Sequence, residues 1–338
     1  MTDMYIGNHA RLPQIPDNMS LAQFMLDCQH ELRPTLKEDL PCFVDTQTGS
    51  ELTISQLRLR TYGLANALAS DYGIGENDRV LLLSPNRIDY PQTVWAIHRL
   101  GAIVACSNPE FSADELCHQL RTADITFMIV HSTVLEVSLQ AAGQCGLSDD
   151  RIVLLDKSPH GTVSNDRHHA FTVSSFKNLP DLIATGLNRP CSFKERTLRA
   201  GEGKSKVALL FWSSGTTGTP KVCNLPYSPS DLLCVVGIGE AKIIVNQAVA
   251  ISHYGIIANI IQMALHRKIG KTSLFSPGDK VIGVLPFYHV AGFLITVCLE
   301  LSPSVLYPNI LTVIDTFCNV LLGEVSSVYN LSPLMPKT

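Results

Sequence analysis

Val207-Ala208-Leu209-Leu210-Phe211-Trp212 runs directly into Ser213-Ser214-Gly215-Thr216-Thr217-Gly218-Thr219-Pro220-Lys221. The first six residues form an uninterrupted apolar run with the length of a buried strand. The nine that follow carry five hydroxyls, two glycines and one lysine. Glycine lets a backbone approach an anion, hydroxyl and N–H groups supply donors around it, and lysine adds a positive point charge. A buried strand that opens into such a loop reads as a phosphate cradle. Two other phosphate loops are excluded. Walker A needs Gly-Lys followed by Ser or Thr, whereas Pro220 precedes Lys221 and Val222 follows it, and no Gly-x-Gly-x-x-Gly opens a helix anywhere in the chain.

Upstream, strand and helix patterns alternate. Ser20 can cap a helix over Leu21, Phe24, Met25 and Cys28, and Thr53 or Ser55 starts another with Leu57, Leu64, Ala65 and Leu68 on its apolar face, ending near Gly73 and Gly75. Arg79–Leu83 reads as a strand, Tyr90–Leu100 as a helix with Pro91 in its first turn, and Ala102–Cys106 as the next strand. Ser112-Ala113-Asp114-Glu115 is a capping box for a helix to Leu120. Thr126–Val130 and Ile152–Leu155 are further strands around a helix over Val134–Cys145. Such alternation predicts crossover units, hence an α/β fold of mostly parallel sheets flanked by helices. Lys157–Lys204, richer in Ser, Asn, Pro and Gly, reads as a loop-rich connection, with His168-His169 as surface residues rather than metal ligands.

The 338 residues are 46% hydrophobic and 17% charged, enough for a sizeable core and roughly two domains. A net charge of −4 argues against a nucleic-acid partner. The ten cysteines lie far apart with no Cys-x-x-Cys, and the polar start has no secretory pattern, so a reducing, cytoplasmic setting is expected. The apolar run Val290–Leu299 is well short of the ~20 residues of a membrane helix.

SSGTTGTPK resembles the phosphate-loop signature of the adenylate-forming enzymes: acyl- and aryl-CoA synthetases, 4-coumarate–CoA ligases, luciferases and peptide-synthetase adenylation domains. Pro85-Asn86 with Tyr90-Pro91, Gly101-Ala102, and Asn108-Pro109-Glu110-Phe111 with Asp114-Glu115-Leu116 resemble the front of a CoA-ligase-type member, though these residues read as turns, caps and packing without chemistry. Leu285-Pro286-Phe287-Tyr288-His289-Val290-Ala291-Gly292-Phe293 is similar to the second core motif, after a strand over Lys280–Leu285. The resemblance implies that Ser213 to Lys221 hold the phosphates of ATP, that His289 orients the carboxylate or gates the pocket, and that Tyr288 forms its wall. It also implies a carboxylic acid substrate, ATP, Mg2+ and CoA. A carboxylate attacks the α-phosphate to give an acyl-adenylate and pyrophosphate, and CoA then displaces AMP. The metal ligands are unassigned.

The family continues after the lysine with a small residue, a strand and a Ser-His pair that opens a helix. That continuation arrives late, as Ala248–Tyr254 with a helix over Ile256–Leu265, and joining Lys221 to Ala248 restores PKAVAISHY. Val222–Gln247 therefore reads as a foreign insertion, an intron read through in frame; a genuine inserted loop is the alternative, since long loops cost little closure entropy. Beyond Leu294 no family string is found. The resemblance places 1–190 in a first α/β subdomain and 191–338 in a partial second one, with 295–338 divergent. The adenine-contacting Tyr-Gly-x-Thr-Glu string, the ribose-binding aspartate, the hinge and the C-terminal lysine domain have no counterpart. A weakly active or inactive ligase fragment is expected. A non-catalytic remnant and an adenylating enzyme that loads a carrier protein are the alternatives.

Overall fold

The computed structural model describes residues 13–30, 38–46, 48–157, 162–164, 170–172, 176–212, 243–245, 248–269, 280–299 and 311–314. Ser213–Lys221, His168-His169, most of Val222–Gln247 and the last residues, 315–338, lie outside them.

The described elements are, in chain order, α1 (Leu21–Leu26), β1 (Pro41–Asp45), β2 (Glu51–Thr53), α2 (Ile54–Tyr72), β3 (Arg79–Leu83), α3 (Asp89–Arg99), β4 (Ile103–Ser107), α4 (Ala113–Thr122), β5 (Phe127–Val130), α5 (Leu135–Cys145) and β6 (Ile152–Leu154). After them come β7 (Thr162–Ser164), β8 (Ala170–Thr172), α6 (Leu179–Leu187), β9 (Val207–Trp212), β10 (Ile243–Val245), β11 (Ala248–Ser252), α7 (His253–Ile269), β12 (Lys280–Ile282) and β13 (Leu311–Ile314). Helix starts follow side-chain chemistry. At α1, Ser20 Oγ accepts the Gln23 N–H at 3.2 Å while Gln23 Oε1 accepts the Ser20 N–H at 3.0 Å. The same reciprocal cap links Thr53 with Gln56 at α2 and Ser112 with Glu115 at α4. Each cap satisfies donors that the first helical turn leaves without partners.

The main sheet has seven strands in the order β10-β11-β9-β4-β3-β5-β6. Its five strands from β9 to β6 are parallel, and β11 and β10 complete it antiparallel. Because side chains alternate across a strand, the apolar runs feed two cores. Val80, Leu82, Val104, Phe127 and Ile129 pack into one with residues of α1, α2, α3, α6 and α7; Leu81, Leu83, Ala105, Met128 and Val130 pack into the other with residues of α4 and α5. A second sheet runs β12-β13-β1-β2. Both sheets draw strands from either side of residue 190, and β13 lies within the stretch 295–338.

Two expectations need correction. Lys157–Lys204 holds the β7–β8 hairpin and α6, so it is not merely a connection. In α6, Asn178 Oδ1 caps the Asp181 N–H at 3.0 Å, and Leu179, Leu182, Ile183 and Gly186 form the buried face. That face packs on α2, where a Cβ on Gly186 would lie 1.8 Å from the Gly63 carbonyl oxygen; only glycine permits this approach. Secondly, β12 ends at Ile282 rather than at Leu285, because the carbonyls of Gly283 and Leu285 are taken by a side chain described next.

Candidate functional site

The parallel strands β3, β4, β5 and β9 all point their carboxyl ends to one edge of the main sheet. From that edge the chain leaves as Ser84–Arg87 after β3, Asn108–Phe111 after β4 and His131 after β5, and it enters the predicted phosphate loop after Trp212 of β9. The connection after β3 leads to β4 on one side, and the connection after β5 leads to β6 on the other. In open α/β sheets ligands bind at the carboxyl edge, beside such a reversal of direction.

Asn86 stands at this reversal and is 7% exposed. Its Nδ2 donates to the carbonyls of Gly283 and Leu285, each at 2.9 Å, and its Oδ1 accepts the Phe287 N–H at 2.8 Å. One amide thus fixes the loop that carries the second motif, nearly two hundred residues further along the chain. Phe287 anchors the same loop, its ring fully buried edge-on to Tyr90 of α3 at a centroid distance of 5.8 Å. Gly292 lets the loop close on itself, since a Cβ there would meet the Pro286 carbonyl oxygen at 2.0 Å.

With that backbone held, Tyr288 and His289 are adjacent on the loop. Tyr288 is half-buried; burial, and secondarily the Glu110 carboxylate, raises its phenol pKa, so it stays protonated. His289 is exposed, and its Nδ1 accepts the Ala291 N–H at 3.3 Å, which puts the neutral ring's proton on Nε2. It can offer that N–H to an anionic group. Asn86, read from the sequence as a turn residue, was missed as the organiser of the motif; the signal that could have found it is a lone amide just after a buried strand.

His253, at the start of α7, is a core residue. Its Nδ1 accepts the Leu21 N–H at 3.0 Å, and its ring meets that of His98 edge-on at 4.9 Å. His98 in turn bonds the Ala208 carbonyl through Nε2 at 2.9 Å. Burial holds both rings neutral, with the His98 pKa pushed down to about 4 and that of His253 well below its ordinary value.

β11 lies beside β9 with Ala248 opposite Trp212 and Val249 opposite Phe211. The two ends that flank Ser213–Gln247 are therefore cross-strand neighbours, which sit ~5 Å apart in an antiparallel pair. β10 pairs with the outer side of β11, Val245 opposite Ala248.

Comparison with known proteins settles the family. A sequence profile of the AMP-binding enzymes matches residues 31–228, more than half of the chain. The chain belongs to the AMP-binding enzyme family. The match stops inside Val222–Gln247. An acyl-CoA ligase of Cordyceps militaris is 27% identical over 299 residues, 83% of this chain and 41% of the ligase. A 4-coumarate–CoA ligase-like protein of Oryza sativa is 29% identical over 220 residues, 65% of this chain and 31% of the rice protein. The chain thus spans less than half the length of these curated relatives. Its fold is that of the long-chain-fatty-acid–CoA ligase of Archaeoglobus fulgidus, with a TM-score of 0.61 at 20% identity over 93% of this chain and 50% of that one. Among the described residues of this family member, no helix is long and apolar enough to cross a membrane.

Proposed function

We propose that the chain carries the phosphate-binding and carboxylate-orienting part of an AMP-forming acid–CoA ligase. In this reading Ser213, Ser214, Gly215, Thr216, Thr217, Gly218, Thr219, Pro220 and Lys221 cradle the phosphates of ATP. Tyr288 walls the acyl pocket, and the His289 Nε2–H orients the carboxylate toward the α-phosphate. Attack by the carboxylate oxygen forms the acyl-adenylate and releases pyrophosphate; the thiol of CoA then displaces AMP. Positioning and charge stabilisation carry both steps, with little covalent work for the protein. Magnesium would ride on the phosphates of ATP. Among the described residues no group of three or more His, Cys, Asp or Glu side chains could hold a metal ion.

One observation carries the reading. Trp212 and Ala248 face each other at the carboxyl edge that also holds the Tyr288–His289 loop through Asn86. If Lys221 is joined to Ala248, nine residues close that hairpin, and the phosphate signature becomes its whole loop. Val222–Gln247, which carries the edge strand β10, is then additional sequence next to the lysine, where a displacement of ~1 Å can cost about 100-fold in rate.

The test compares the chain with a form lacking residues 222–247. ATP binding by calorimetry and carboxylate-dependent ATP–pyrophosphate exchange, with aryl and fatty acids, are expected to be stronger in the deleted form. Lys221→Ala should weaken its ATP binding ~10-fold or more, the loss of one charge-assisted contact. Absence of ATP binding from both forms would sink the proposal. ATP binding without exchange would defeat its catalytic part.

A further inference from the structure

Outside the candidate site, one side-chain cluster joins two nucleophiles. Cys117 projects from the middle of α4 and Cys145 is the last residue of α5, the two helices that cover the same face of the main sheet. Their Sγ atoms are 2.6 Å apart, and the Cys145 thiol also reaches the Cys117 carbonyl at 3.4 Å. The neighbouring polar groups hold the helices in this arrangement. Arg121 Nη2 donates to the Gln144 carbonyl at 2.6 Å, and Gln144 Nε2 donates to Asp114 Oδ1 at 3.1 Å. Two residues of α4 on either side of Cys117 are therefore tied to the residue preceding Cys145.

We propose that Cys117 and Cys145 form a thiol–disulfide modification site, closed by exchange with a small disulfide such as oxidised glutathione, which covalently locks α4 to α5. Access sets the order of events. Cys145 is half-buried at the helix end, while Cys117 is 4% exposed, so Cys145 meets the oxidant. Its thiolate attacks one sulfur of the oxidant and expels a glutathione thiolate, leaving a mixed disulfide. The Cys117 thiolate then attacks the Cys145 sulfur and expels the second glutathione. Two protein thiols and one oxidised glutathione become one protein disulfide and two reduced glutathiones; the two electrons pass to the oxidant's sulfurs, and two protons leave with them. Burial and the Cys117 sulfur push the Cys145 thiol up to about 11, against a smaller opposing pull from Arg121. Only a small thiolate fraction is present at neutral pH, so closure is slow there and accelerates as pH rises. The bond would constrain an unfolded-state loop across a sequence separation of 28.

The test uses the full chain, reduced and then incubated with oxidised glutathione at pH 8.5. Non-reducing peptide mapping should recover a linked pair of peptides containing Cys117 and Cys145, lighter by two hydrogens than the separate thiol forms. The oxidised chain should melt roughly 5 °C higher than the reduced one. Cys145→Ser should abolish both the linked peptides and the shift. In Cys117→Ser, glutathione should remain attached at Cys145. Alkylation of both thiols in the incubated wild-type chain, or a mixed disulfide at Cys145 that never resolves, would overturn the proposal without reference to any variant's folding.

Discussion

Gly186 meets Gly63 between two helices of the core, whereas Gly292 meets Pro286 inside a single loop, and the two approaches are nearly equally close. The first joins α2 to α6, which share the large core cluster with Leu64, Leu68, Leu182 and Ile183. Asn66 adds to it, donating to the Gly186 carbonyl at 2.8 Å and the Pro190 carbonyl at 3.1 Å. The second shapes a loop whose neighbouring residues Val284 and Leu285 are 44% and 43% exposed, and which is held mainly by the Asn86 amide and the Phe287 ring. A framework built on burial shares its load among many side chains. The loop at the sheet edge, which buries Phe287 but leaves Val284 and Leu285 exposed, depends on a few directional contacts.

That contrast can be broken from the framework side first. Gly186→Ala places a methyl group against backbone, so α2 and α6 must separate, at a cost of ~3 kcal/mol or more. Urea unfolding should show a single transition moved to lower denaturant. An unchanged midpoint would show that the α2–α6 contact yields easily and that the framework is not close-packed there.

Acid probes the same framework through His98 and His253. A ring kept neutral by burial contributes stability that is complete above its unfolded pKa near 6.5 and is lost as pH falls toward the folded value. For His98, with a folded pKa of about 4, the window runs from pH ~6.5 down to ~4, and the loss is up to ~3 kcal/mol. Its strength lies in the deep burial of the pair, with Lys206 adding to the effect on His253. Urea midpoints across that window should fall more steeply for the wild-type chain than for His98→Gln; parallel slopes would count against the assignment.

Asn86→Ala sharpens the comparison from the other side. It leaves two carbonyls and one N–H of the loop without their partner, a local penalty of ~2 kcal/mol. Hydrogen exchange should quicken at the Phe287 and His289 amides while β3 and β4 keep their protection. Equal quickening throughout would mean that the loop and the sheet are one cooperative unit.

Much of the framework was legible because its signals are local. Ser20, Thr53 and Ser112 each announce a helix with a partner three residues on, and Arg79–Leu83, Phe127–Val130 and Val207–Trp212 are apolar runs bounded by polar turns. α6 escaped because its short apolar face sits in a stretch rich in turn formers, although Asn178 and the spacing of Leu179, Leu182, Ile183 and Gly186 carried the signal. The Tyr288–His289 pair was legible as a string, but nothing local linked it to Asn86.

By itself the sequence determined the alternation of strands and helices, the caps, and the motif strings that place the chain among AMP-binding enzymes, since periodicity, capping and loop composition act within a few residues. Only the tertiary structure decided that Asn86 holds the 283–287 backbone, that His253 is a core residue, and that Trp212 faces Ala248 in the neighbouring strand. Hydrogen bonds, ring contacts and strand registers form between residues that meet through the packing of whole elements, and that packing leaves no periodic trace at the residues it brings together.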